Sequence, residues 1–204
     1  MPMFPLGTVL FPHTSIPLHV FEERYRVMVR ELLRDLDAHF GVVLIERGSE
    51  VGGGDVRFNV GCAARIVDAE EFPDGRFAIA AVGAGRVRIT QWLDDDPYPR
   101  AEVEPLAEPD ASAADFDARA RVADAFADIV DLARRFDPRI VSPPELDPDP
   151  VRASFQAGAW APIGPLDAQR VLETDDLGAR LALLAQLLAE RAEELRARLD
   201  DGQG

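Results

Sequence analysis

Hydrophobic and polar positions repeat with two different periods along this chain, and the change of period divides it. Near the start, Phe4 to Leu10 and Ile16 to Val20 are short apolar stretches broken by Pro5, Gly7, Pro12 and Pro17. Proline cannot donate to a ladder, so these read as edge or entry strands. From Glu22 the period lengthens: Tyr25, Met28, Leu32, Leu33 and Leu36 recur at helical spacing, with Arg and Glu between them. Phe40 to Glu46 returns to a buried strand rich in Val, Leu and Ile. Gly52, Gly53 and Gly54 predict a flexible loop. Val60 to Phe72 and Phe77 to Val82 then flank Pro73-Asp74-Gly75, a strong turn signal. Arg86 to Leu93 and Tyr98 to Leu106 alternate as half-exposed strands do. Six or seven short strands with one inserted helix predict a small, closed or nearly closed β-barrel.

Beyond Pro105 and Pro109 the pattern is helical. Asp110 to Phe136 carries Phe116, Val122, Phe126, Ile129, Val130 and Leu132 as its apolar positions, and Ser112 and Asp115 stand at capping-box spacing. Four prolines between Ser142 and Pro150 predict a loop. Short helices follow over Val151 to Trp160 and Leu166 to Leu172. In the last helix Leu177, Leu181, Leu184, Leu188, Leu195 and Leu199 make one stripe. Thr174 is its expected N-cap, Asp175 and Asp176 suit the dipole, Glu194 and Arg198 are set for an i,i+4 pair, and Gly202 ends it. The chain thus reads as α+β: a β-rich domain over residues 1–109, then a helical bundle over 110–204 ending in a long helix.

Charge narrows the partners. The net charge is −15 over 204 residues, and the acid excess runs through both halves. Neither half offers the basic footprint that phosphate binding needs, so nucleic acid and anionic membrane are not expected partners. No apolar run approaches the roughly 18 to 20 residues of a membrane span. The proline-broken start does not resemble a signal peptide, which places the chain in the cytoplasm. Cys62 is the single cysteine, so no internal disulfide forms. Every one of the 22 basic residues is Arg. A phosphate-loop lysine, a Schiff-base lysine and a Ser-Lys pair are therefore excluded by residue type.

Nothing along the chain assembles into a catalytic or metal-binding set. His13, His19 and His39 lack the companions and spacing of metal ligands. His13 suits a turn beside Pro12. Cys62, among small apolar residues on a strand, reads as a buried and inert thiol. Ser15, Ser49, Ser112, Ser142 and Ser154 lack the strand-elbow-helix setting of a hydrolase nucleophile. Gly83-Ala84-Gly85 precedes a strand and not a helix, so it is a bulge or tight bend and not a dinucleotide loop. Asp94-Asp95-Asp96 reads as a solvated loop. The leucine stripe is explained by packing on the other helices more simply than by dimerisation. For contact with a partner, Pro12, His13, Pro17, Glu22, Arg24 and Tyr25 are the best candidates: Tyr and Arg are favoured interface anchors, and proline-rich loops beside an exposed strand leave backbone groups available. A structural role in a turn that caps a helix accounts for them equally.

Ordered motifs across nearly the whole chain carry a family resemblance. They are Phe4-Pro5-Leu6 with Val9 to His13 and Ile16-Pro17-Leu18, then Phe21-Glu22-Glu23-Arg24-Tyr25. Val60-Gly61, Ala64-Arg65-Ile66, Pro73 to Arg76 and Gly83 to Ile89 follow, and Leu172-Glu173 with Asp175, Asp176, Arg180 and Leu181 close the series. This set resembles the N-terminal, substrate-binding domain of Lon proteases, found both within Lon and as free-standing bacterial proteins. The resemblance implies a PUA-like β-barrel followed by a helical bundle, no cofactor, and a non-catalytic role in binding unfolded or partly folded protein segments, in some cases beside a protease complex. The ATPase and the Ser-Lys peptidase of Lon have no counterpart here. An extended client would add to an edge strand near Ile16 to Val20 or press apolar side chains into a groove between the two parts. An adaptor that docks on one folded partner is the alternative, and a small-molecule enzyme the third.

Overall fold

A computed structural model describes residues 1–35, 39–47, 56–140, 143 and 145–201. The expected glycine loop at 52–54, Leu36, Ser49, Ser142 and Gly202 lie outside the described residues. Among those described there are six strands and five helices, an α+β chain that divides into two compact units, Met1–Ala107 and Glu108–Gly204.

The first unit is a mixed sheet. Its strands are β1 (Met3–Leu6), β2 (Ser15–Val20), β3 (Phe40–Arg47), β4 (Val56–Glu71), β5 (Phe77–Leu93) and β6 (Arg100–Pro105), with α1 (Glu23–Leu32) between β2 and β3. The order is β1-β3-β4-β5-β2, and β6 pairs with the far half of β5. Among the described strands, β1 and β3 pair in parallel and the other pairs are antiparallel. One antiparallel bridge between Pro2 and Arg100 carries the path from β6 back to β1, with the Met3 N–H donating to the Pro99 carbonyl at 2.8 Å. The sheet therefore comes close to closing on itself.

Two segments expected as separate strands, Phe77 to Val82 and Arg86 to Leu93, are one long strand, β5. The Gly83-Ala84-Gly85 segment joins them as a bulge: Ala63 faces Gly85 while the adjacent Ala64 faces Gly83. The first glycine is required there, because a Cβ on Gly83 would collide with the Phe11 carbonyl oxygen and Cys62 Sγ.

Helix α1 forms because its apolar residues fall on one face. Tyr25, Met28, Val29 and Leu32 are buried, in a core shared with Phe4, Leu18, Val20, Phe40 and Phe77. Leu33, expected on that face, is the C-cap and is exposed. The helix is pinned from both sides. Arg26 Nε donates to the Gly75 carbonyl at 2.6 Å on the β4–β5 hairpin, and the Tyr98 hydroxyl donates to Glu31 at 2.5 Å.

The second unit holds α2 (Ala113–Phe136), α3 (Pro150–Trp160), α4 (Pro165–Glu173) and α5 (Leu177–Asp201). The Ser112 N–H and hydroxyl both donate to Asp115, at 2.8 and 2.6 Å, and these bonds hold that carboxyl below the usual carboxylate range. Asp149 caps α3 by accepting from the Val151 N–H at 2.8 Å. The cap of α5 differs from expectation: Asp176 accepts from the Ala179 N–H at 2.7 Å, whereas the Thr174 hydroxyl donates back to Arg170 at the end of α4. Glu194 pairs with Arg191, one turn before it. Leu177, Leu181, Leu184, Leu188 and Leu195 are buried, and α5 packs on α2, α3 and α4. Phe116 departs from its expected inward position and is exposed.

Arg180 organises this unit from within. It is fully buried, its guanidinium lies 4.4 Å from the Phe155 ring centroid, and it donates to Glu108 at 2.8 Å, the Thr174 carbonyl at 2.9 Å and Ser154 Oγ at 3.3 Å. A buried cation is tolerable only when its donors are met in this way.

Candidate functional site

Among its described residues the first unit exposes a backbone edge beside an apolar cleft. Strand β2 ends the sheet path, and among the described residues no strand pairs with its other side. The Gly83 N–H donates to the Thr14 carbonyl at 2.9 Å, and Ile16, Leu18 and Val20 then face Ala81, Ile79 and Phe77. Antiparallel alternation turns the backbone groups of those three toward β5 and those of Ser15, Pro17 and His19 away from it. Pro17 thus sits where its missing N–H costs the sheet nothing. It also blunts the edge, leaving the N–H groups of Ser15 and His19 as outward donors.

Beside this edge lies a cleft of about 150 Å³. Phe4 and Leu6 of β1 and Leu18 and Val20 of β2 contribute its apolar lining. Pro17 and His19 of β2, with Phe21, Glu22 and Tyr25 where β2 passes into α1, complete it. Tyr25 is buried and stacks on Phe4 with ring centroids 4.2 Å apart and planes at 8°. Arg24 lies over the other part of this stack, 4.6 Å from the Tyr25 centroid, with Nε 3.1 Å from Glu22 Oε2 and Nη1 3.9 Å from Asp95 Oδ2. The rings and the guanidinium fix one another, so the cleft wall is preorganised. Phe21, in contrast, is 55% exposed at the margin.

The six candidate positions fall into two groups. Pro17, Glu22 and Tyr25 line the cleft, and Arg24 braces it. Pro12 and His13 are elsewhere, in the turn before β2. Pro12 is buried and bridges to Gly83; His13 is exposed, with φ of 62°, and its N–H donates to the Gly83 carbonyl at 2.9 Å. Their contacts are those of a tight turn. Sequence reasoning passed over Phe4, Leu6, Leu18, Val20 and Phe21 as site residues. The exposed aromatic directly before the Glu22 cap was the available signal for Phe21.

Cys62 is buried, and burial pushes its thiol up to about 12, so it is an un-ionised core residue. Among the described residues no group of three His, Cys, Asp or Glu is placed to hold a metal ion, and no helix is long and apolar enough to cross a membrane.

Comparisons with known proteins converge on one family. The model of the ATP-dependent protease La (LON) substrate-binding domain matches residues 1–190. Lon protease of Escherichia coli strain K12 is 28% identical over 200 residues, covering 96% of this chain and 25% of that protein. Lon protease of Koribacter versatilis is 30% identical over 199 residues, covering 95% and 24%. The chain therefore spans about a quarter of the length of the curated relatives it matches. Among solved structures, the Lon N-terminal domain protein from Xanthomonas campestris aligns with a TM-score of 0.61 at 24% identity, over 93% of this chain and 96% of that one. The N-terminal domain of a Mycobacterium avium complex Lon protease aligns at 0.66 and 17%, over 92% and 97%. These two likenesses establish the fold.

Proposed function

Because the chain belongs to the LON substrate-binding domain family, we propose that it is a cytoplasmic, non-catalytic protein-binding module that takes unfolded or exposed hydrophobic polypeptide segments. The observation that carries this reading is the apolar cleft beside the unpaired edge of β2. An extended segment has what both features ask for: backbone groups for the edge and alternate side chains for the cleft. A folded partner would have to present such a strand already unpaired.

Proline at position 17 limits the edge to a short run of hydrogen bonds, so the backbone contribution is modest and the cleft supplies the rest. Pro17, Glu22, Arg24 and Tyr25 are the partner-binding residues in this reading, joined by Phe21. Pro12 and His13 act through the turn that sets the start of β2. No cofactor enters, and a protease complex is a partner through the clients it shares.

Purified protein should delay the aggregation of chemically unfolded model proteins and should retain apolar spots on a peptide array. Absence of both effects would refute the reading.

A further inference from the structure

The cleft and its margin also say which segment fits best, an inference that rests on the reading above. We infer that the preferred client is an extended segment with one Phe- or Leu-sized side chain flanked by Arg or Lys.

Size comes first. A cavity of about 150 Å³ lined by aliphatic and aromatic side chains has room for about one benzene ring. Two bulky apolar side chains would not enter together, and Trp would overfill the space. Phe21, exposed at the margin, is placed to cover the ring once it is seated.

Charge comes second. Around the start of α1, Glu22, Glu23 and Asp95 stand with Arg24 and Arg26. The two arginine side chains, at 18% and 23% exposure, and Glu22, at 20%, are withdrawn, whereas Glu23 at 69% and Asp95 at 44% stand out into solvent. Solvent therefore meets carboxylate at this margin, on a chain whose net charge is −15. A cationic flank on the client is attracted and an anionic one repelled. The same charge disfavours a second copy of the chain as the occupant.

Four labelled peptides test this with the intact protein: a central Phe or Ala, each flanked by Arg or by Glu. Fluorescence anisotropy should show the Arg-flanked Phe peptide binding tightest. Replacing Phe with Ala should weaken binding about tenfold or more. Exchanging Arg for Glu should weaken it about fivefold, with the difference shrinking as salt is raised. The Phe21→Ala variant should lose much of the Phe-over-Ala preference and Glu22→Arg the charge preference, with thermal midpoints confirming that both fold. Peptides that bind equally well whatever their centre or flank would overturn this inference and leave the proposed function standing. Retention of unfolded proteins with no peptide bound would overturn it as well. A protein that binds neither peptides nor unfolded chains would remove the proposed function itself. If sedimentation shows a dimer that Phe21→Ala dissolves, the cleft is filled by a second copy and the inference fails.

Discussion

The two units bury polar and apolar groups by opposite strategies. In the helical unit the leucine face of α5 is covered by α2, α3 and α4, and the buried Arg180 cation has acceptors on three sides and an aromatic ring beneath it. In the sheet unit the strand path ends at β2 with an unpaired edge and an apolar cleft beside it. Helices satisfy their backbones internally except at their ends, so the bundle presents no strand edge, although it too has a cleft, of about 310 Å³, along α2 beside Pro143 and Leu146. A sheet cannot satisfy its edges in this way, and each end must be paired, blunted or used. Here Pro17 blunts the edge only in part, and the proposed function occupies what is left.

This contrast predicts where substitutions hurt folding and where they hurt binding. The largest effect is expected at Arg180. Arg180→Ala removes the guanidinium bonds to Glu108 and to the Thr174 carbonyl and should cost about 3–5 kcal/mol in chemical denaturation. Peptide binding should survive wherever the variant remains folded. Tyr25→Ala comes next, because it removes a buried ring stacked on Phe4 and opens the cleft wall together. It should cost about 3 kcal/mol and abolish binding, so stability and function fall together at this one position.

A smaller effect belongs to the cap of α2. Ser112→Ala should cost about 1 kcal/mol by thermal melting. The cap also carries a pH dependence. The Ser112 bonds lower the Asp115 carboxyl in the folded state, so its contribution is present above the ordinary Asp range and lost as pH falls through the folded value. In Asp115→Asn the acid limb of the stability curve should flatten. The least costly substitution for folding is Phe21→Ala, expected within about 0.5 kcal/mol of the parent because the ring is exposed, yet it should weaken peptide binding. If it destabilised the protein as Tyr25→Ala does, the division between bracing and client-facing residues would be wrong.

Local periodicity carried most of the fold. The leucine stripe of α5, the Pro73-Asp74-Gly75 turn and the capping residues of α2 are all short-range signals, and they stand where the pattern put them. The end of α4 illustrates the limit. Thr174 is the expected cap of α5, and Asp176 takes the role because α4 uses the threonine hydroxyl at its own terminus. At Gly83-Ala84-Gly85 the sequence allows a bulge or a tight bend, and the bulge is what forms, because the partner strand shifts register there and lets the two expected strands run on as β5.

The site was legible only in part. Pro17, Glu22, Arg24 and Tyr25 could be picked out because proline, charge and an aromatic cluster within nine residues of one another. The wall contributed by Phe4 and Leu6 could not, because β1 reaches the cleft through a parallel pairing with β3, and long-range pairing leaves no trace in local pattern. The role of buried Arg180 is likewise invisible in local pattern, since its partners come from residues 108, 154 and 174.

The central claim is that an extended client pairs with β2 and fills the cleft beside it. Hydrogen exchange of the intact protein, with and without a saturating Arg-flanked Phe peptide, measures this directly. New protection is expected at the Ser15 and His19 amides, with slowed exchange across Phe21 to Tyr25. Protection confined to the helical unit, with residues 15–25 unchanged while the peptide is bound, would contradict it.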